Sequence, residues 1–135
     1  FANTFNGSPL ALSVAKTVIG KLRDGSLYKK NNEIGESFRK FLQEQIKRLE
    51  ITAAVQGVGS MSTLAFGCKS FEKGIVFEKY DTKTYNLFIE KMAHKNVLFP
   101  PLPTETIFLS PVHEDVMDEI KKAIKESLEE LKKEV

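Results

Sequence analysis

The stretch ITAAVQGVGSMSTLAF, residues 51–66, decides the fold of this chain of 135 residues. Its two halves, 51–58 and 61–66, are short runs of β-branched and apolar residues on either side of a glycine-rich corner. Such runs predict two strands joined by a tight turn, although a bulge in one longer strand would give the same pattern. The sequence therefore predicts a small sheet in the middle of the chain.

Helical periodicity flanks this stretch on both sides. Apolar residues recur every three or four positions over 8–23, 28–50, 81–96 and 114–133, which predicts four helices. Ser8 and Pro9 form a typical helix start. The outer face of the second helix is predicted to be Glu36, Arg39, Lys40, Glu44 and Lys47. The inner face of the last helix is predicted to be Val116, Ile120, Ile124, Leu128 and Leu131.

Two further short strands are predicted at 97–99 and 106–110, while 75–77 is either a strand piece or an apolar loop. The strands thus come in adjacent pairs and do not alternate strictly with helices. This order predicts an α+β fold, with a small, mostly antiparallel sheet that has helices on one face. The other face of such a sheet is left to water or to a second domain.

Charge and cysteine content exclude several classes of protein. The chain carries 20 Lys and Arg against 18 Asp and Glu, interleaved along the helices. We therefore expect neither a nucleic-acid partner nor a membrane-surface helix, because each requires a basic patch or face. No apolar run approaches the roughly 18 residues that span a bilayer. Cys68 is the only cysteine, which rules out an intrachain disulfide and fits a cytoplasmic protein.

Few residues indicate chemistry by pattern alone. His94 and His113 lie at predicted helix ends, and no cluster has the spacing of metal ligands. The Gly57–Gly59 pair lacks the third glycine of a dinucleotide fingerprint. Thr4, in contrast, lies in a turn that leads directly into a helix start. Free backbone N–H groups and a hydroxyl converge there, which is typical of a phosphate site, although an ordinary capped loop has the same pattern.

Three segments resemble class-III aminotransferases, which use pyridoxal phosphate. ANTFNGSP at 2–9 resembles their A-G-T-[FLY]-[SN]-G-N-P segment. GVGSM at 57–61 and VLFPPLPTETIFLSPVH at 97–113 resemble G-x-G-S-M-F and V-Y-L-A-P-S-x-F-E-A-x-F-[LV]-S-x-A-H, which mark the glutamate-1-semialdehyde 2,1-aminomutase branch. The three matches follow the order of the family and span nearly the whole chain.

The resemblance implies the C-terminal domain of the aspartate-aminotransferase fold. Residues 1–25 would be a loop and linking helix from a large domain, and residues 26–135 a small α+β domain. Thr4 would contact the cofactor phosphate of the neighbouring subunit of a homodimer, and Glu105 would lie near the substrate. The lysine that forms the Schiff base in this family lies upstream of these segments. We therefore expect this chain to be an inactive part of a larger enzyme, which accounts for its start at Phe1.

The function implied is conversion of glutamate-1-semialdehyde to 5-aminolevulinate for tetrapyrrole synthesis. The absence of arginine between 107 and 111 agrees with the aminomutase branch, because many class-III transaminases clamp a substrate carboxylate there. Asn3, Ser8 and Thr104 depart from the family pattern. Two alternatives stay open: a transaminase acting on another amine or amino acid, and a non-catalytic α+β interaction domain.

Overall fold

The structure is a computed structural model that describes residues 7–71 and 80–134. The elements in chain order are α1 (Pro9–Leu22), α2 (Ser26–Arg48), β1 (Ala53–Val58), β2 (Met61–Phe66), α3 (Thr82–Ala93), β3 (Ile107–Phe108), a 3-10 helix (Pro111–Val116) and α4 (Met117–Glu134). All four predicted helices and the first two predicted strands are confirmed. The undecided segment 75–77 lies outside the described residues.

The sheet has three antiparallel strands in the order β1-β2-β3. β1 and β2 form a hairpin in which Val58 pairs with Met61, so its turn has only two residues. Gly59, the first of them, has a φ of 57°, whereas Ser60 is not among the residues with positive φ. This is the pattern of a type II′ turn, which matches the right-handed twist of the strands. The corner is therefore a tight hairpin and not a bulge.

The predicted strand at 97–99 is wrong. These residues follow the end of α3, where Asn96 has a φ of 60° and the Val97 N–H donates to the Met92 carbonyl at 3.0 Å. Together with the bond from the Asn96 N–H to the Ala93 carbonyl at 2.9 Å, this is a Schellman ending. Residues 97–99 therefore follow the end of a helix and do not add a strand to the sheet.

The predicted strand at 106–110 is shorter than expected. Only Ile107 and Phe108 pair with β2, opposite Ser62 and Met61. The chain then enters the 3-10 helix, which delays the start of α4. Val116 was predicted to face inward but is 41% exposed. It lies in the 3-10 turn, whose three-residue period places side chains differently from the 3.6-residue period of an α-helix.

One core lies between the sheet and helices α2, α3 and α4, so that the helices cover one face as predicted. Phe66 of β2 packs against Phe88 of α3 with ring centroids 5.6 Å apart, and Phe99 meets Phe88 edge-on at 5.4 Å. The largest fully buried apolar side chains are Tyr85, Phe38, Phe66, Phe88, Leu42, Leu64, Met92, Ile124, Leu128 and Leu131.

Among residues 7–71 and 80–134, two apolar surfaces are exposed. The first, the sheet patch, consists of Val58, Met61 and Phe108, which are 69%, 40% and 66% exposed. These three residues are cross-strand partners and therefore share the face of the sheet that points away from the helices. The second is α1, in which no residue is buried. A helix of 14 residues is marginal in water unless an apolar side is packed.

Candidate functional site

The tip of the β1–β2 hairpin, residues 59–61, is held through every one of its backbone carbonyls. Nη1 of Arg39, on α2, donates to the Gly59 carbonyl at 2.7 Å and to the Met61 carbonyl at 3.1 Å. The Leu109 N–H donates to the Ser60 carbonyl at 3.0 Å. The tip is thus fixed between α2 and the segment that follows β3.

The contact between α2 and this tip requires a glycine. A Cβ on Gly35 would lie 2.1 Å from the Gly59 carbonyl oxygen and 2.8 Å from the Ser60 Cα. Both atoms belong to the backbone, so the neighbours cannot give way by rotating a side chain. Arg39 lies one helical turn further along α2 and therefore on the same face. The pair Gly35 and Arg39 brings α2 against the hairpin.

Arg39 was predicted to lie on the solvated face of α2, and that prediction is wrong. Its side chain is half-buried, and Nη1 also lies 3.4 Å from the hydroxyl of Ser62, which is fully buried. Among residues 7–71 and 80–134, no carboxylate forms an ion pair with Arg39. Its hydrogen bonds go to the hairpin, whose sequence separation from Arg39 is 20 to 23 residues.

Glu105, the predicted substrate-side residue, is exposed in the turn before β3. Its N–H donates to the Leu102 carbonyl at 3.1 Å, which closes that turn. Burial, and then the negative charge of Glu105, raise the pKa of Tyr85 to about 12. The Tyr85 hydroxyl donates to the Pro100 carbonyl at 2.8 Å. Glu105 therefore projects from a segment anchored on the buried ring of Tyr85.

Thr4, the predicted phosphate contact, lies outside the described residues, and its role stays a prediction. The helix start that follows it is present, because Ser8 is the N-cap of α1 and Pro9 its first residue. Ser8 makes no side-chain capping bond there. The described residues therefore do not define the distance between Thr4 and Glu105.

Both histidines lie at helix ends, as predicted. His113 accepts a hydrogen bond at Nδ1 from the Ser110 N–H at 3.0 Å, which forms a capping box at the start of the 3-10 helix. His94 is the C-cap of α3. Cys68 is half-buried, and burial raises the pKa of its thiol. A thiol in that state is a poor nucleophile at neutral pH, because the thiolate is the reactive form.

A depression of about 540 Å³ forms an open groove between α2 and the 3-10 helix. Lys30 lies in it, but its ammonium is paired with Glu114, and this pairing raises the pKa of Lys30. No lysine in the described part of the chain is buried. That the Schiff-base lysine lies outside this chain stays a prediction.

The described residues contain neither a metal-binding cluster nor a membrane-spanning helix. No group of three His, Cys, Asp or Glu side chains there is placed to hold a metal ion. Among the helices of 7–71 and 80–134, none is both long enough and apolar enough to cross a membrane.

A three-stranded antiparallel sheet with helices on one face is the architecture of the C-terminal domain of the aspartate-aminotransferase fold. A solved structure described as a transaminase with pyridoxal phosphate bound superposes on this chain with a TM-score of 0.76. The match covers 99% of the chain and 30% of that structure at 16% sequence identity. The chain therefore has this fold.

The sequence is also similar to curated proteins that carry the name of one aminotransferase branch. The chain is 30% identical over 131 residues to glutamate-1-semialdehyde 2,1-aminomutase of Aquifex aeolicus, a match covering 96% of the chain. It is 32% identical over 136 residues to the same enzyme of Methanocella arvoryzae. No protein-family model matches the chain. The resemblance to the C-terminal part of class-III aminotransferases is confirmed, and the chain spans about 31% of the length of both relatives.

Proposed function

We propose that this chain is the C-terminal domain of a pyridoxal-phosphate aminomutase that converts glutamate-1-semialdehyde to 5-aminolevulinate. The observation that carries the proposal is the match to two aminomutases over nearly the whole chain. Gly-Ser-Met at the hairpin tip and Glu105 before β3 supply the branch pattern within it. The parent enzyme would be a cytoplasmic homodimer that serves tetrapyrrole synthesis.

The cofactor would be bound mainly by the large domain of the parent, because the described residues enclose no site for it. When bound, pyridoxal phosphate supplies an electron sink for moving a proton and an amino group. We assign two contacts to this chain: Thr4 with the phosphate of the neighbouring subunit, and Glu105 with the substrate. The Schiff-base lysine would also belong to the large domain.

We also propose that the chain divides at residue 25 into parts of two bodies. Asp24 accepts hydrogen bonds at one oxygen from the Ser26 N–H at 3.0 Å and from the Ser26 hydroxyl at 2.8 Å, which sets the turn between α1 and α2. Residues 1–25 would belong with the large domain, and residues 26–135 would form the small domain. The exposed α1 and the sheet patch would then face the rest of the enzyme, since apolar surfaces of this kind mark contact sites.

A transaminase acting on another amine or amino acid is the second candidate. The observation in its favour is Thr104, which replaces the aromatic residue of the aminomutase F-E-A pattern immediately before Glu105. The third candidate, a non-catalytic α+β domain, predicts a monomer that is indifferent to the cofactor.

Co-expression with the upstream two-thirds of the Aquifex aeolicus aminomutase tests the proposal. The assembled enzyme should take up pyridoxal phosphate, seen by its absorbance, and form 5-aminolevulinate from glutamate-1-semialdehyde. Glu105→Gln should lower kcat/KM about tenfold or more, whereas Glu36→Gln, a control at an exposed position of α2, should not. Transfer of the amino group to an added keto acid would favour the transaminase. An assembly that takes up no cofactor would leave the interaction domain as the remaining candidate.

A further inference from the structure

The strand that follows the proposed substrate-side turn is short and depends on the hairpin. β3 pairs with β2 at only two positions, Ile107 with Ser62 and Phe108 with Met61. The next backbone bond, from the Leu109 N–H to the Ser60 carbonyl, goes to the hairpin tip itself. The position of β3 is therefore set by residues 60–62 of the hairpin. Glu105 lies two residues before β3, and Phe108 ends it.

The hairpin tip is in turn set by Arg39. Two N–H groups diverge from Nη1 of a guanidinium, and the carbonyls of Gly59 and Met61 both lie within hydrogen-bonding distance of that atom. Hydrogen bonds from a charged donor are stronger than neutral ones. The Arg39 side chain is half-buried, and no carboxylate of the described residues forms an ion pair with it. The hydrogen bonds to the hairpin therefore do not compete with a surface ion pair.

We infer that Arg39 is a positioning residue for the substrate-side segment: it holds the hairpin tip, the tip holds β3, and β3 places Glu105 and Phe108. The functional half of this inference rests on the proposed function, whereas the mechanical half rests on the hydrogen bonds alone. Arg39 touches neither substrate nor cofactor in this scheme. It acts through the backbone of residues 59–61.

The mechanical half is tested by amide hydrogen exchange on the 135-residue chain. In Arg39→Gln, exchange at Leu109 and Ser62 should rise about tenfold or more, while amides in the middle of α4 keep their protection. Arg39→Lys should restore part of the protection, because an ammonium keeps the charge and the N–H donors but sits on a shorter side chain than Nη1 of arginine. The control is Arg48→Gln, on the same helix, whose guanidinium pairs with the exposed Glu129.

The functional half is tested in the assembly with the upstream aminomutase segment. Arg39→Gln should lower kcat about tenfold while the absorbance of the bound cofactor is unchanged, and Arg39→Lys should recover part of that loss. Arg48→Gln should behave as wild type. Faster exchange at Leu109 without a rise in the middle of α4, together with this loss of kcat, supports the inference.

Three results overturn the inference: unchanged exchange at Leu109, a uniform rise at all amides, or faster exchange at Leu109 with unchanged kcat. An inactive wild-type assembly would instead refute the proposed function. In that case, selective exchange in Arg39→Gln would still support the placement of β3 by Arg39, because that measurement needs no activity.

Discussion

Replacing Gly35 by alanine should destabilise the domain, although the same change stabilises most helices. The new Cβ would meet the Gly59 carbonyl oxygen at 2.1 Å, well inside contact distance, so α2 and the hairpin would have to separate by about 1 Å. That separation would break the bond from Arg39 Nη1 to the same oxygen, now 2.7 Å long. The effect of a substitution at Gly35 on stability therefore depends on its contact with the hairpin as well as on helix propensity.

The magnitudes decide the sign. Losing a hydrogen bond from a charged group costs about 1.5–3 kcal/mol, and overpacking adds about 1–3 kcal/mol. Alanine in a helix interior returns only about 1 kcal/mol. We therefore expect Gly35→Ala to lower the free energy of unfolding by about 1.5–5 kcal/mol, measured by urea denaturation followed by circular dichroism.

Gly20 supplies the matched control, because it lies inside α1 and a Cβ there would meet nothing within 4 Å. Gly20→Ala should leave the main unfolding transition unchanged or stabilise it by up to about 1 kcal/mol. If Gly35→Ala proved as stable as Gly20→Ala, the close approach of α2 to the hairpin would be refuted.

Three further predictions concern a cap, a buried phenol and the exposed sheet patch. Asp81 accepts from the Thr84 N–H at 2.9 Å and from its hydroxyl at 2.6 Å, and these bonds lower the pKa of the Asp81 carboxyl. Asp81→Ala should therefore cost about 0.5–2 kcal/mol at neutral pH. Because the folded-state pKa lies below the unfolded one, wild-type stability from this cap should be lost as the pH falls below about 4, and Asp81→Asn should lack that part of the acid dependence in denaturation curves. Tyr85→Phe should cost about 0.5–1.5 kcal/mol through the lost bond to Pro100. The wild type should lose stability between pH 10 and about 12, since its phenol ionises in the unfolded chain first, and alkaline denaturation of Tyr85→Phe should not show this loss. Phe108→Ser should reduce the fluorescence of an apolar-surface dye, whereas Leu98→Ser, at a loop residue 88% exposed, should change it less; equal reductions would contradict a contiguous patch.

The sequence predicted several features that depend on neighbours a few positions apart. The four helices follow from apolar residues at helical spacing, and the β1–β2 hairpin follows from two apolar runs around Gly59. The position of His113 at a helix start was predicted from the acidic residues beside it, Glu114 and Asp115, and its capping partner Ser110 is only three residues away. The resemblance to aminotransferases also uses short local segments, and it supplied Thr4 and Glu105.

The predictions failed where a distant part of the chain decides the outcome. Residues 97–99 look like a strand, but within 7–71 and 80–134 they pair with no strand and follow the end of α3 instead. Val116 has helical spacing from Ile120, yet the 3-10 turn moves it outward. Strand pairing and helix type at an element boundary depend on tertiary contacts, which a short window of sequence does not contain.

Arg39 shows most clearly the difference between local sequence patterns and tertiary contacts. By itself the sequence determined that α2 is a helix and that Arg39 lies outside its most apolar side, among charged residues that water normally solvates. Only the tertiary structure decided that this guanidinium meets two carbonyls of a turn 20 and 22 residues further along the chain. The physical reason is that backbone carbonyls are present at every residue and carry no sequence signal. Which of them turn towards a helix depends on how closely the hairpin packs against it, and here that distance is set by the missing side chain of Gly35.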